Sequence, residues 1–183
     1  HFARYLLIQK KFSDRNIDDD FKQTFCRFYI LNGPAGLNAT QKEKFFELLI
    51  SRRNNLDLIL KALYEIPGHR DRHSLFLSFG TKLLHTLNNF LPIYDKNIAA
   101  VLTLNSPQQR GTLEDRIRNR IEIYEELKFK SNILLARNDV LDYLRNIRKE
   151  IPKECHIISN VKLFDSVLWA LYSVEFRKVD RGR

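Results

Sequence analysis

Residues 78–95 read SFGTKLLHTLNNFLPIYD, a stretch in which leucine or phenylalanine returns at nearly every turn while Ser78, Lys82, His85 and Asn89 fall four, three and four residues apart. With 3.6 residues per helical turn, those four polar residues share one narrow stripe and the apolar residues cover the rest of the circumference. Leu75, Phe76 and Leu77 extend the pattern upstream. The spacing therefore predicts a helix from near Ser74 to a stop before Pro92, central to the fold because so little of it suits water.

The same period recurs on both sides. Asp18–Asp20 precede FKQTFCRFYIL, where acids favour the positive end of a helix macrodipole, and Asn32-Gly33-Pro34 stops that segment. Thr40 and Glu43 have capping-box spacing ahead of Phe45, Phe46, Leu48 and Leu49. Asn54 or Asn55 opens LDLILKALYE, which ends before Pro67-Gly68. Asp95 or Lys96 opens a short helix, Thr112 and Asp115 precede RIRNRIEIYEELKF, Asn138 precedes DVLDYLRNIRKE, and Ser159 or Asn160 precedes VKLFDSVLWALYSVEF. Sustained period-two alternation is absent from the sequence, and no Asn-Gly or Asp-Gly pair joins two alternating runs as a hairpin. The expectation is an all-α protein, one compact domain of about eight helices over residues 1–176, with a polar tail at 177–183.

The 183 residues are 44% hydrophobic and 29% charged, a composition that folds rather than one that stays disordered. No apolar run reaches the roughly 18 residues of a membrane span, and HFARYLLIQKKF carries no cleavage-site pattern. A soluble, cytoplasmic protein without membrane partners is expected. Cys26 and Cys155 share no CxxC spacing, so they read as reduced core residues. The net charge is +9; residues 1–53 carry ten bases against six acids, and residues 110–153 carry eleven against eight. Such an excess favours a polyanionic partner, nucleic acid above all, with simple solubility as the alternative.

The candidate sites follow from these placements. His69 and His73 are four apart, but Pro67-Gly68 ahead of them argues for a turn, and no metal site is assigned. Arg70, Arg72 and His73 instead form a basic turn suited to a phosphate, or a solvated turn. On the polar stripe, burial penalises an ammonium and favours the neutral amine that serves as nucleophile or base. Lys82 can act that way beside His85, or snorkel from a narrow wet face. Asp95 can cap the next helix and also return toward Lys82. Arg116 and Arg120 offer further phosphate contacts, or pair with Glu122, Glu125 and Glu126 along one solvated face. Lys162, Asp165 and Trp169 lie on one helical side, with Trp169 expected in the core. Gly-rich phosphate loops, GxSxG and paired-carboxylate signatures do not occur.

HSLFLSFGTKLLHTLNNFLPIYDKNI at 73–98 resembles the region of helix-hairpin-helix DNA glycosylases in which a lysine-bearing helix is followed by a proline, an aspartate and a short helix. FYILNGPAGLNATQKEKFFELL at 28–49 and ISNVKLFDSVLWAL at 158–171 are similar to segments of bacterial proteins of the 8-oxoguanine DNA glycosylase fold. The resemblance implies a glycosylase-like fold, a DNA-repair hydrolase or lyase, and no cofactor. It also implies that Lys82 attacks the sugar carbon of a flipped-out nucleotide while Asp95 assists base departure. Arg70, Arg72, His73, His85, Arg116 and Arg120 are then the expected nucleic-acid contacts. The competing expectation is a non-enzymatic helical module binding nucleic acid or an acidic protein partner.

Overall fold

The computed structural model describes residues 1–33 and 35–175. Pro34 of the expected Asn32-Gly33-Pro34 stop and the tail expected at 177–183 lie outside the described residues. Among the described residues there are nine α-helices and no strand: α1 (Phe2–Ser13), α2 (Asp19–Phe28), α3 (Ala39–Ile50), α4 (Leu56–Tyr64), α5 (Leu77–Leu87), α6 (Lys96–Val101), α7 (Leu113–Leu135), α8 (Asn138–Glu150) and α9 (Asn160–Glu175). The fold is all-α, as the periodicity requires.

Eight of the nine elements answer to eight segments of the sequence, and the caps show why. Asp18 accepts the Phe21 N–H at 2.7 Å, Asn55 accepts from Leu58, and Asp95 accepts from Asn97 at 2.8 Å. Each satisfies a donor that a helix start leaves without an intrahelical partner. Thr112 and Asp115 form a reciprocal capping box on α7. On α3 the box is made instead by Asn38 and Gln41, two residues ahead of the expected Thr40 and Glu43. Gln41 is fully buried there and also donates to the Ile66 carbonyl. The ninth element is α1. Its N-cap, His1, makes no side-chain cap and its first turn has no acid, so its start carries no sequence signal.

Contacts group the helices into two compact units, His1–Asn88 and a second that begins at Asn89. In the first, α1 packs on α2, and α3 packs on α4 and α5. Phe25 sits at the centre of a ring cluster with Phe21, Tyr29, Phe45 and Phe46, at centroid separations of 4.7–5.7 Å. Gly80 lets α5 approach α4 closely: a Cβ there would lie 2.9 Å from Leu56 Cδ1. In the second unit α6 packs chiefly on α9, and α7, α8 and α9 pack pairwise around Ile123, Leu127, Leu144 and Leu163. Each unit holds one free, buried cysteine, Cys26 and Cys155 respectively. No helix among the described residues is long and apolar enough to cross a membrane.

Four helices stop without glycine. Arg15, Ile30, Arg52 and Thr103 take the left-handed conformation, with φ of 58°, 55°, 54° and 51°. In each case the next N–H reaches back six-to-one into the helix: Asn16 to Lys11, Leu31 to Cys26, Arg53 to Leu48 and Leu104 to Ala99, at 2.8–3.0 Å. This is the Schellman closure, normally built on glycine because a Cβ in that conformation costs about 1–2 kcal/mol. Ile30 is the plainest case, β-branched and 70% exposed, so its side chain returns little for the strain. Ile30→Gly is expected to stabilise the protein by about 0.5–1 kcal/mol after glycine's own entropy cost. A higher urea midpoint at unchanged slope is the readout; a lower midpoint would show that the Ile30 side chain contributes packing its exposure hides.

Candidate functional site

Lys82 belongs to the first unit and Asp95 to the second, so each is described in its own surroundings. The helix carrying the polar stripe, α5, is shorter than the apolar pattern suggests, running from Leu77 to Leu87. Ser78, Lys82 and His85 remain on it; Asn89 lies beyond its end, where its carbonyl accepts from Ser159 Oγ at 2.8 Å. Lys82 is half-buried. Its Nζ donates to the Tyr29 carbonyl at 2.8 Å and stands 5.0 Å from the centre of the Phe79 ring. Attack on a sugar carbon requires this nitrogen to leave that carbonyl. Asp95 is also half-buried, and one carboxylate oxygen is committed to the N-terminus of α6.

His85 is fully buried, and its Nε2 shares a 2.9 Å hydrogen bond with the hydroxyl of Tyr5, itself 1% exposed. A histidine so enclosed braces α1 against α5 and presents no surface to a phosphate, which corrects its expected role as a nucleic-acid contact. Arg120 is corrected on the same ground. It is 4% exposed, and its Nη1 donates to the Gln108 and Arg116 carbonyls, both at 2.9 Å, tying the segment ahead of α7 to that helix. Burial and the neighbouring Arg116 charge push the Arg120 guanidinium below its ordinary value. Two of the three expected partners of these arginines are engaged elsewhere: Glu125 pairs with Lys128 and Glu126 with Lys130.

Arg70, Arg72 and His73 come together as expected, on the loop between α4 and α5, and all three are exposed. His69–Asp71 form one turn of 3₁₀ helix with Arg70 and Asp71 at φ 59° and 54°, closed by the Gly68 N–H to the Arg72 carbonyl at 2.9 Å. His73 Nδ1 donates to the Tyr64 carbonyl at 2.6 Å, which fixes its ring against α4. Among the described residues no group of three or more His, Cys, Asp or Glu is placed to hold a metal ion.

In the second unit Lys162 and Asp165, one turn apart on α9, form an ion pair at 2.5 Å with side chains 5% and 11% exposed. Trp169, expected in the core, is 46% exposed on the same helix.

Two groups have no counterpart among the sequence expectations. Arg15 and Arg52, the left-handed residues that end α1 and α3, line one cavity in the first unit. The only sequence sign of them is an arginine where a helix stop ordinarily has glycine.

Comparison with protein-family models, with curated proteins and with solved structures gave no match.

Proposed function

We propose that the protein binds nucleic acid, DNA foremost, through the exposed cations of its loops, and that Lys82 is the nucleophile through which a modified base would be excised. The observation that carries the binding reading is the disposition of charge. Several acids are neutralised by neighbouring bases, Asp18 and Asp20 by Lys11, Glu47 by Lys44, Asp57 by Lys61, and Asp139 by Arg137. Arg70 and Arg72 are exposed and outside every ion pair among the described residues. A surface arranged in this way keeps its net positive field available to a polyanion. The excision reading is supported by a half-buried lysine on an apolar helix and by the resemblance around residues 73–98.

Binding without chemistry is the second reading, favoured by the engagement of Lys82 with the Tyr29 carbonyl and of Asp95 with the α6 cap. Borohydride trapping separates the two. Excision through Lys82 predicts a covalent adduct with abasic or lesion-bearing duplex DNA that Lys82→Gln abolishes. Binding alone predicts no adduct across the lesion panel, together with affinity that falls steeply with salt. In either case Arg70→Ala with Arg72→Ala should reduce the slope of log K against log salt by about 2, one for each phosphate contact removed. Affinity insensitive to salt would sink both readings.

A further inference from the structure

Arg15 ends α1 and Arg52 ends α3, and both side chains border one surface cavity of about 520 Å³ whose remaining lining is Phe12, Ile17 and Ile50. Among the described residues no carboxylate lines it. Neither guanidinium takes part in an ion pair or side-chain hydrogen bond among the described residues; the Arg52 guanidinium lies 5.2 Å from the centre of the Phe12 ring. A second cavity of that unit, about 650 Å³, differs in kind: Lys22 and Lys42 line it together with Glu43 and Glu47, so its charges balance. The Arg15–Arg52 cavity instead combines two cations outside any ion pair with an apolar floor.

We propose that this cavity is a binding site for a small organic anion, its phosphate or carboxylate gripped by Arg15 and Arg52 and its apolar body set against Phe12, Ile17 and Ile50. A cavity of this size fits a ligand of tens of atoms rather than a solvated ion. Guanidinium is the group suited to the head, because its fork of donors matches the spacing of two oxygens on one phosphate or carboxylate. Arg52 is pre-oriented by the Phe12 face, which lowers the cost of ordering it when the anion arrives. Arg15 and Arg52 also share a backbone conformation. Both occupy left-handed positions where glycine would be less strained, and at both the side chain reaches the same cavity. Ile30 and Thr103 share the conformation without lining that cavity, so the assignment rests on the cavity and its charge.

The strain also supplies a test in which loss of binding cannot be mistaken for loss of fold. Arg15→Gly with Arg52→Gly removes both guanidiniums and relaxes both helix stops, so its melting temperature is expected to equal or exceed that of the parent protein. Phenyl phosphate, benzoate and inorganic phosphate are titrated by calorimetry against the parent, the glycine double variant, and a charge control, Lys10→Ala with Arg53→Ala, whose residues do not line the cavity. Saturable binding of phenyl phosphate or benzoate, at least tenfold tighter than inorganic phosphate, is expected for the parent and the charge control. At least a tenfold loss is expected for the glycine variant. Whichever of phenyl phosphate and benzoate binds more tightly identifies the head group. No saturable binding to the parent, equal binding by the glycine variant, or an equal loss in the charge control would overturn the proposal.

Discussion

Phe25→Ala should cost about 3–5 kcal/mol, the range for emptying an aromatic site in a packed core. Phe25 is completely buried, and four other rings, Phe21, Tyr29, Phe45 and Phe46, lie within 6 Å of its centroid. With Phe21, it is one of the side chains through which α2 meets α3. Those helices touch through their rings, Phe25 to Phe45 at 5.5 Å and to Phe46 at 5.7 Å. Deleting the ring therefore removes transfer energy, leaves a void that stiff neighbouring rings fill poorly, and forfeits ring contacts, edge-to-face with Phe46 and tilted with the others, worth about 0.5–1.5 kcal/mol each. Against a total stability on the order of 5–15 kcal/mol this is a large fraction. At a urea slope of about 2 kcal/mol per molar, the midpoint should fall by roughly 1.5–2.5 M. Phe25→Leu, which keeps most of the volume, should recover more than half of that loss. A Phe25→Ala loss below about 1 kcal/mol would mean that the cluster collapses freely into the space.

Asp165→Ala should be comparably damaging for a different reason. Its carboxylate meets the Lys162 ammonium at 2.5 Å, and both side chains are nearly out of solvent. Removing one partner leaves the other charge in a poorly hydrated position, which costs about 3–5 kcal/mol where such pairs have been broken. The pair itself contributes much less than that, because bringing two charges out of water offsets most of their attraction. Lys162→Met combined with Asp165→Leu should therefore restore most of the stability lost in the single variant. The resulting double-mutant cycle should show a coupling of about 2 kcal/mol or more, far outside the additivity of independent sites. Single-variant losses that simply add would show the pair to be two separate residues.

What the sequence makes legible here is whatever is decided within one or two helical turns. The caps at Asp18, Asn55, Asp95 and Thr112 act over two or three residues, and their chemistry can be read from spacing alone. The capping box of α3 was displaced to Asn38 and Gln41 because Gln41 also holds the Ile66 carbonyl, a contact 25 residues away that no local pattern encodes. α1 begins without a side-chain cap, and the left-handed stops at Arg15, Ile30, Arg52 and Thr103 lack the glycine that would announce them. The polar stripe on α5 was visible as a pattern, but the fate of its members was set elsewhere. His85 is claimed by Tyr5, 80 residues away, and Lys82 by the carbonyl of Tyr29, 53 residues away. Arg120 has the composition of a surface cation and the environment of a core residue, because its long side chain turns back onto the Gln108 and Arg116 carbonyls. The Arg15–Arg52 cavity was invisible in the same way, since its two cations are 37 positions apart in the chain.

The placement of the two thiols gives the native chain a pair of internal clocks. Cys26 and Cys155 are each buried, one to a unit, and burial pushes the Cys26 thiol above its ordinary value. A thiol reagent must therefore wait for a local movement at Cys26, 6% exposed at the edge of the 650 Å³ cavity, and for an opening of the chain around Cys155, 4% exposed. Labelling followed by peptide mapping reads two opening rates from a single unmodified sample, one for each half of the chain. Phe25→Ala should quicken the Cys26 clock and Asp165→Ala the Cys155 clock, so the halves can be timed separately without engineering a single probe.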